Sequence, residues 1–389
     1  MPEEFQGASA RQPHEGGGQS PQSWTGKHII IGLDGTWQAA YLDQFKSNVH
    51  RLNVALNCHD EAPQKNPQLF IYSAGVGTST MTSRLVDGVT SEGLSAIILQ
   101  AYTNLVSNYV PGDKIYIFGF SRGAFAARVL SGLINRAGLL KAHSLGALED
   151  AWMDFTNKDK ATRNYFEYRA NLAHIDVPIE FLGVWDTVIG SFRKSKLVET
   201  YRFENRRPVK IVKTAVQILS IDDGRWDFQP IFFEPREGKT LEQIWMPGVH
   251  TDIGGGYGHS FLSTLSLLVM IDKIRQYCPS LSFDEQYIQK TLFQILEMER
   301  VVVNNERSGF WAWRRSWTRM VDDGLGHMVH PFVELIREKD IRYKGKPRRY
   351  TPGFSVGKGS PLRPASFDPK SWHELELKER LKQKIAEFE

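Results

Sequence analysis

The chain has 389 residues, of which 41% are hydrophobic, 12% aromatic and 24% charged, with a formal net charge of +4. This composition is that of a folded protein, with room for one large domain with insertions or for two ordinary domains. The low net charge and the lack of a domain-wide basic stripe argue against a dedicated nucleic-acid binder. No segment reaches the roughly 20 apolar residues that a membrane-spanning helix needs.

The first 26 residues and the two cysteines bear on where the protein works. Residues 1–26 are acidic, then rich in Gly, Gln and Ser, without the apolar stretch of a secretory signal, so we expect a disordered tail. Cys58 and Cys278 are too few for a disulfide framework and have no metal-ligand spacing around them. We therefore expect two reduced thiols in a cytoplasmic protein that binds no metal.

Apolar, β-branched runs alternate with helical periodicity from residue 27 to about residue 280. Strands are predicted over residues 27–33, 68–72, 114–118, 178–184 and 241–245, and residues 211–221 fit either a helix or a strand. Helices are predicted after a cap at Ser47 or Asn48, over residues 93–109, from Ser121 to Gly138, and over residues 145–155 and 261–277. This alternation predicts a doubly wound, mostly parallel α/β sheet with helical insertions.

The last third of the chain is less regular. A helix is predicted over residues 287–303, a surface loop over residues 351–368 and a charged helix over residues 372–388. Between them lies an aromatic and arginine cluster, for which we favour ordinary packing over a lid or a membrane-interface anchor: Trp311, Trp313, Arg314, Arg315, Trp317 and Arg319. We divide the chain into a tail (1–26), a core (27–280) and a C-terminal helical and loop extension that completes or covers the core (281–389).

The segment Gly119-Phe120-Ser121-Arg122-Gly123 matches the Gly-x-Ser-x-Gly pattern of a nucleophile elbow. A buried strand precedes it and an alanine-rich helix follows it, which is the context that such an elbow requires. Glycines are needed on both sides because the turn is too tight for side chains beside the strained serine. Ser121 is therefore the predicted nucleophile, and the backbone N–H of Arg122 is a predicted oxyanion donor at the helix N-terminus.

A serine nucleophile needs a base and an orienting acid, which follow in the chain order Ser, Asp or Glu, His on this type of sheet. Asp186 directly follows a predicted strand, and His250 follows a later strand and precedes three glycines. Because the carboxyl ends of parallel strands meet at one edge, the three side chains are expected in the same crevice. Asp222 and Asp223 are alternative acids, although a salt bridge with Arg225 or a helix cap also accounts for them.

The loop Asp34-Gly35-Thr36 after the first strand is assigned to shaping the site. It is similar to the start of a haloacid-dehalogenase phosphatase motif, but Gly32 stands where the nucleophilic aspartate of that motif would be. Phosphoryl transfer through this loop is therefore excluded. We expect its backbone to supply a second oxyanion donor, with Asp34 and Thr36 hydrogen-bonded to fix the loop.

Residues next to the predicted acid and base are candidate contacts of the substrate. Gly254-Gly255-Gly256 lacks the spacing of a dinucleotide-binding motif, so no cofactor is expected. The candidate substrate contacts are Trp185, Asp252 and Tyr257. Arg122 and Arg128 fit the steering of an anionic substrate, and Arg128 fits a structural ion pair equally well.

Taken together, the motifs resemble one family, the uncharacterised α/β-hydrolase domain family that includes the catalytic domain of type VI secretion phospholipase effectors. The resemblance runs from about residue 27 to about residue 275 and departs from the family at Gln38 and Ser47. It implies an α/β-hydrolase fold and a triad of Ser121, Asp186 and His250. The motifs that carry it are residues 31–37, 47–49, 74–78, 119–128, 181–188 and 247–257.

These residues and the resemblance predict a serine hydrolase that cleaves a carboxylic ester or a lipid acyl ester through an acyl-serine intermediate. The expected partner is a small-molecule or lipid ester, and a peripheral contact with a membrane is compatible with a lipid substrate. A lactonase or thioesterase acting on a small metabolite is the alternative. A hydrolase-fold protein without hydrolytic activity is the second alternative, although the Ser, Asp and His set argues against a pure binder.

Overall fold

The computed structural model describes residues 26–35, 44–58, 67–75, 91–156, 169–189, 207–306, 313, 316–321, 325–337, 339–343, 346–352 and 354–356. Several expectations from the sequence lie outside these ranges. They are the disordered tail before residue 26, the side chain of Thr36, three members of the aromatic and arginine cluster (Trp311, Arg314 and Arg315), and the charged helix over residues 372–388.

In the described residues up to 277, strands alternate with helices from His28 to Thr156, whereas the strands Ile179–Trp185, Val212–Ser220 and Thr240–Met246 follow one another with only a 3-10 turn described between them. The helices are α1 (Asn48–Ala55), α2 (Ser91–Asn108), α3 (Arg122–Ala137), α4 (Leu148–Thr156), α5 (His250–Gly254), α6 (Phe261–Tyr277), α7 (Glu285–Tyr287 and Gln294–Met298, joined by a π-helical stretch at Ile288–Phe293) and α8 (Phe332–Ile336). The strands are β1 (His28–Leu33), β2 (Gln68–Ser73), β3 (Lys114–Phe120), β4 (Leu139–Leu140), β5 (Ala173–His174), β6 (Ile179–Trp185), β7 (Val212–Ser220), β8 (Thr240–Met246), β9 (Val302–Val303), β10 (Arg319–Val321), β11 (His327–Val329), β12 (Asp340–Tyr343), β13 (Lys346–Arg349) and β14 (Phe354–Val356).

Seven of these strands form one central sheet in the order β11-β8-β7-β6-β3-β1-β2. Every neighbouring pair runs parallel. A parallel sheet is covered on both faces, so its strands are apolar throughout. In β1, Ile30 packs into the core on one face, while Ile29 and Ile31 pack into the core on the other. The predicted parallel, doubly wound α/β fold is confirmed.

Helices cover the sheet in two layers. Apolar residues of α1 and α6, among them Leu52 and Leu265, belong to the core on one face. Residues of α2, α3 and α4, among them Leu105, Leu130 and Phe155, belong to the core on the other face. The cap of α1 is Ser47, whose hydroxyl accepts a hydrogen bond from the amide of His50, so the first of the two caps considered is the one used.

The strand order reverses at β1. The chain passes from β1 outward to β2 and then returns to place β3 on the other side of β1. In open parallel sheets such a reversal opens a crevice beyond the carboxyl ends of the two strands, where ligands bind. The residues that follow β1 and β3 are Asp34 and Ser121. The topology therefore brings the start of the loop after β1 and the predicted nucleophile together.

Three predicted elements differ from the structure or are decided by it. Residues 211–221, which fit a helix or a strand, contain β7, a strand in the middle of the sheet. The helix expected over residues 145–155 starts as a 3-10 turn at Ala142–Ala147, and regular α-helix begins only at Leu148, beyond the weak helix former Gly146. The helix expected over residues 287–303 ends at Met298, because Glu299 is extended and the β-branched Val302–Val303 pairs with β12.

The C-terminal extension is joined to the core by strands. β11 pairs with β8 and forms one edge of the central sheet. β14 pairs with β10 in a separate two-stranded sheet, so part of the loop expected over residues 351–368 is a strand. Among the described helices, none is both long and apolar enough to cross a bilayer.

Candidate active site

Ser121 occupies a strained turn between β3 and α3. Its backbone angles are φ 58° and ψ −122°, a conformation that residues other than glycine rarely adopt. The amide of Ser121 donates to the carbonyl of Trp185 at 3.0 Å, which ties the turn to the end of β6. A Cβ atom on Gly119 would lie 2.5 Å from the carbonyl oxygen of Gly123. The glycines of the motif therefore leave room for a turn in which α3 starts directly above the strand.

Gly123 is the glycine with the tightest main-chain surroundings in this turn. A Cβ there would lie 2.2 Å from the carbonyl oxygen of Leu33 and 2.4 Å from that of Asp34. Since both atoms are main chain of β1 and its loop, α3 would have to move off the sheet. We expect Gly123→Ala to lower the free energy of unfolding by about 3 kcal/mol, measured by urea titration. Gly146→Ala, where a Cβ meets nothing within 4 Å, should change it by less than about 0.5 kcal/mol.

His250 is the first residue of α5, which follows β8. Its Nε2 lies 2.8 Å from the hydroxyl oxygen of Ser121, and its Nδ1 lies 2.7 Å from Oδ2 of Asp186. A carboxylate accepts only, so Nδ1 carries the proton and Nε2 is left to accept one from the serine. The imidazole contacts two phenyl rings. The distance between ring centroids is 4.7 Å for Phe120, which is tilted, and 5.1 Å for Phe228, which is edge-on. The ring is thus fixed in position and direction.

Asp186 lies directly after β6 and is fully buried. Besides His250, its carboxylate accepts hydrogen bonds from the amide and hydroxyl of Ser220 at 3.2 and 3.0 Å, and from two nitrogens of Arg319 at 2.6 and 3.2 Å. Burial on its own raises the pKa of this carboxyl, but the charge of Arg319 and the hydrogen bond to His250 outweigh burial and hold the pKa well below its usual range. Asp186 is therefore ionised throughout the neutral pH range.

The two alternative acids lie beside His250 but do not contact its ring. Asp223 accepts from the backbone amide of His250 at 3.2 Å and pairs through both oxygens with Arg225, as one of the open alternatives expected. Asp222 accepts from the amide of Gly248 at 2.7 Å and from the hydroxyl of Tyr350 at 3.0 Å. Both carboxylates therefore brace the loop that carries His250. The contact with Nδ1 belongs to Asp186.

The loop after β1 lies against the nucleophile. A Cβ on Gly35 would be 3.3 Å from the Cβ of Ser121. The carboxylate of Asp34 accepts from the amide of Gly35 at 2.8 Å, from the hydroxyl of Ser47 at 2.5 Å and from the hydroxyl of Tyr72 at 2.7 Å. Asp34 thus fixes the loop as expected, but it also uses the Gly35 amide. The amides of Asp34 and Gly35 are thus both used, by the carbonyl of Ser73 and by the carboxylate of Asp34, and Thr36 lies outside the described residues.

Asp252 and Tyr257, two of the expected substrate contacts, hold α5 to the C-terminal extension. Asp252 is buried, and its carboxylate accepts from the amide of Val249 at 3.0 Å and from the side-chain and backbone nitrogens of Asn304 at 2.6 and 3.1 Å. Burial raises the pKa of Asp252 to about 7 in spite of these bonds. The hydroxyl of Tyr257 donates to the carboxylate of Glu306. Their observed contacts are with protein groups, most of them in the extension.

On the opposite side, Asn48 holds α5 to the core. The side chain of Asn48 is fully buried, and its amide nitrogen donates to the carbonyls of Ile253 and Ser263 at 2.9 and 2.8 Å. Ser47 forms a backbone bridge with Gly255 while its hydroxyl bonds to Asp34. The Ser47-Asn48 pair therefore connects Asp34 with the helix that carries His250.

The structure bears on three further side chains, and only the expectation for Trp185 is contradicted. Trp185, expected to contact substrate, is fully buried within the core and has no surface to offer a ligand. Arg128, for which steering and a structural role were open, is buried and donates to the carbonyls of Ile231 and Phe232 at 2.6 and 3.1 Å. Arg319 belongs to the aromatic and arginine cluster, for which packing was favoured over a lid. It is fully buried against Asp186, whereas Trp313 of the same cluster is 94% exposed.

Some site residues escaped the sequence reasoning. Ser220 is the last residue of β7, and its position at a strand end was a usable signal. Phe228 lies in a 3-10 turn, Trp226–Phe228, that no periodicity marks. Arg319 is 133 positions from Asp186, and nothing in the local sequence connects the two. Within the described ranges, no three His, Cys, Asp or Glu side chains cluster as metal ligands would.

A parallel sheet with a serine on a strained strand-to-helix turn, hydrogen-bonded to a histidine, defines the class of α/β-hydrolases. Within it, the chain belongs to the family described as "T6SS, Phospholipase effector Tle1-like, catalytic domain", whose model matches residues 27–273. The resemblance expected from the motifs is thereby confirmed over nearly the same residues.

Relatives of this chain include one curated protein and several solved structures. "Uncharacterized protein YEL023C" of Saccharomyces cerevisiae (strain ATCC 204508 / S288c) is 30% identical over 242 residues, which are 56% of this chain and 34% of that protein. The chain thus spans about a third of the length of this relative. A crystal structure of an uncharacterized protein from Pseudomonas aeruginosa is 19% identical, with a TM-score of 0.38 over 64% of this chain and 45% of that one.

Two further solved structures are similar to this chain. The Tle1 effector, solved bound to the VgrG spike of the type 6 secretion system, is 20% identical with a TM-score of 0.32, covering 64% of this chain and 56% of that one. The apo form of Thermogutta terrifontis esterase 2 is 12% identical with a TM-score of 0.34, covering 66% of this chain and 85% of that one.

Proposed function

We propose that this protein is a serine hydrolase that cleaves an ester through an acyl intermediate on Ser121. The observation that carries the proposal is the hydrogen-bonded series of Ser121, His250 and Asp186, with distances of 2.8 Å and 2.7 Å. In this series Ser121 is assigned as the nucleophile, His250 as the base and Asp186 as the orienting acid. The membership of the chain in the Tle1-like family supports the same reaction class.

The reaction begins when Ser121 attacks the carbonyl carbon of the ester. His250 Nε2 accepts the hydroxyl proton as the new C–O bond forms, and the carbonyl electron pair moves onto oxygen. The imidazolium, stabilised by Asp186, then gives its proton to the leaving alcohol as the tetrahedral intermediate collapses to the acyl-serine. Water repeats the sequence, with His250 again taking a proton and returning it to Ser121. The acid is released and the enzyme is restored.

Charge on the tetrahedral oxygen is stabilised at the start of α3. The first amides of a helix have no carbonyl partner within that helix, and their dipoles favour negative charge. The N–H of Arg122 directly follows the nucleophile and is assigned as one oxyanion donor. The second donor is assigned to the loop that follows Gly35, since the Gly35 amide bonds to Asp34. Gly35, after which this loop begins, lies beside Ser121, which supports the assignment.

A lipid acyl ester is the substrate class that we favour over a small carboxylic ester. The family carries the description of a phospholipase effector. Trp313 is 94% exposed, and an indole this exposed is of the kind that enters a membrane–water interface. Release of fatty acid from phospholipid vesicles, compared with hydrolysis of short-chain nitrophenyl and thioester substrates, separates a lipase from the small-metabolite alternative.

The proposal is tested by labelling with a fluorophosphonate, which phosphonylates an activated serine. Intact-mass analysis should show a single adduct, and peptide mapping should place it on Ser121. Prior incubation with a slowly hydrolysed ester should protect the serine from the probe. Absence of an adduct, or an adduct on another serine only, overturns the proposed function.

A further inference from the structure

Arg319 reaches the orienting acid from a part of the chain beyond residue 273, where the family match ends. It is the first residue of β10, and its side chain is fully buried. Nη1 donates to Oδ1 of Asp186 at 2.6 Å, and Nη2 donates to Oδ2 at 3.2 Å. Two parallel bonds from one guanidinium fix the plane of a carboxylate as well as its charge.

The guanidinium is itself held in place by main chain. Its Nε donates to the carbonyl of Asp223 at 3.1 Å, and its Nη2 donates to the carbonyl of Phe228 at 2.9 Å. The segment that leads into Arg319 is anchored as well, because the amide of Trp317 donates to the carbonyl of Gly224 at 3.0 Å. The loop over residues 223–228 and the start of β10 therefore form one support. Movement of the guanidinium away from Asp186 would break several hydrogen bonds at once.

The charges around Asp186 give this contact a chemical consequence. The groups that face its carboxylate are His250 on α5, Arg319 on β10 and the uncharged Ser220 on β7. Asp223, beyond His250, is already paired with Arg225. Arg319 is thus the cation that compensates a fully buried carboxylate. Without it, the pair of Asp186 and His250 would hold a proton more tightly, since the buried negative charge would attract it unopposed.

We propose that Arg319 is a positioning residue, which keeps Asp186 ionised and aligned with His250, so that the segment from Ser316 to Val321 is required for full activity. This inference rests on the proposed function, since it assigns Arg319 a part in the same reaction. It also implies that residues 27–273, the part matched by the family, do not complete the active site. The guanidinium that binds Asp186 comes from the C-terminal extension.

The test compares Arg319→Met with Arg128→Met in the full-length chain. Both arginines are buried, but Arg128 donates to the carbonyls of Ile231 and Phe232 and lies over the ring of Phe233. With a 4-nitrophenyl ester, Arg319→Met is expected to lower kcat about 100-fold at pH 7 through misalignment. The acid limb of its pH profile is expected to move up by about one pH unit or more, because His250 must be neutral to act as base. Arg128→Met should leave the position of that limb unchanged.

Two further variants keep the test decisive if Arg319→Met does not fold. Arg319→Lys keeps the positive charge but loses the paired donors of the guanidinium. We therefore expect kcat to be about tenfold lower, with the acid limb of the pH profile near that of the wild type. In an Asp186→Asn background, Arg319→Met should cause no further loss of kcat, and kcat should stay the same or rise, because the arginine acts through residue 186 and there holds the amide NH₂ toward His250. A wild-type pH profile in Arg319→Met, or a wild-type kcat in Arg319→Lys, overturns the inference.

Failure of this inference can be told apart from failure of the proposed function. If the fluorophosphonate does not label Ser121 in the wild type, the function is wrong and Arg319 has no reaction to support. If Ser121 is labelled in the wild type, and the rate of labelling has the same pH dependence in Arg319→Met, only the inference on Arg319 is wrong. The labelling rate also reports the nucleophile directly, without the later deacylation step.

Discussion

Replacing Ser121 by alanine is expected to lower kcat for an activated ester by about 10⁵- to 10⁶-fold, the loss seen when a triad nucleophile is removed. The hydroxyl is the only group that can form the acyl bond at this turn, and the 2.8 Å contact with His250 Nε2 is what activates it. His250→Ala should cost about as much. The double variant should be little worse than either single one, since nucleophile and base act as a unit.

The matched control is Ser131→Ala on the same helix. Ser131 is also buried, and its hydroxyl donates to the carbonyl of Arg128 at 2.7 Å, away from the reacting groups. We expect kcat within about twofold of the wild type for this variant. Steady-state hydrolysis and the thermal midpoint would be measured for both. Ser121→Ala with more than about 1% of wild-type activity would contradict the role of Ser121.

The parts of the site that sequence could predict are those carried by local pattern. A buried strand, a small-residue helix and two flanking glycines define the elbow around Ser121 within ten residues. Asp186 and His250 each follow a strand, so the geometry of a parallel sheet is enough to direct them to one crevice. The sheet itself was predictable because its strands are buried on both faces and read as continuous apolar runs, as in β1 and β3.

What sequence could not predict depends on contacts between distant segments. The choice between Asp186 and Asp223 turns on which carboxylate faces Nδ1 and which faces the backbone amide of His250, and both residues follow strands. Arg319 stands next to exposed Thr318 and Met320, so its local sequence resembles a surface segment. Only the folded chain places its side chain beside Asp186. Burial of an arginine with a carboxylate is a tertiary property that no periodicity encodes.

The extension changes how the domain is understood. The sequence alone suggested a core over residues 27–280 with an extension that completes or covers it. In the structure, β11 is an edge of the central sheet, Asn304 binds Asp252 below the histidine helix, and Arg319 binds the acid. The helix that carries His250 therefore contacts the core on one side, through Asn48, and the extension on the other. We infer that the residues after 280 act as part of the catalytic unit.

Asp186→Asn is expected to lower kcat by about 10⁴-fold, because an amide reverses the tautomer of the histidine. The two nitrogens of Arg319 can only donate, so they will bind the amide oxygen of the new side chain and turn its NH₂ group toward His250. Nδ1 must then accept, the proton moves to Nε2, and the base can no longer take the proton of Ser121. The buried arginine makes this outcome more certain than in a site where the amide could rotate.

Asp222→Asn is the matched control for this substitution. Asp222 is also buried, but its carboxylate accepts from Gly248 and Tyr350 and not from the imidazole of His250. Its amide oxygen can still accept both bonds, and kcat should stay within about threefold of the wild type. Loss of the partner of Arg319 is expected to lower the free energy of unfolding of Asp186→Asn by about 3 kcal/mol, so kcat must be measured well below the thermal midpoint of the variant. If Asp223→Asn lost more activity than Asp186→Asn, Asp223 would be the orienting acid, and the geometry around Nδ1 would not be the one that operates in catalysis.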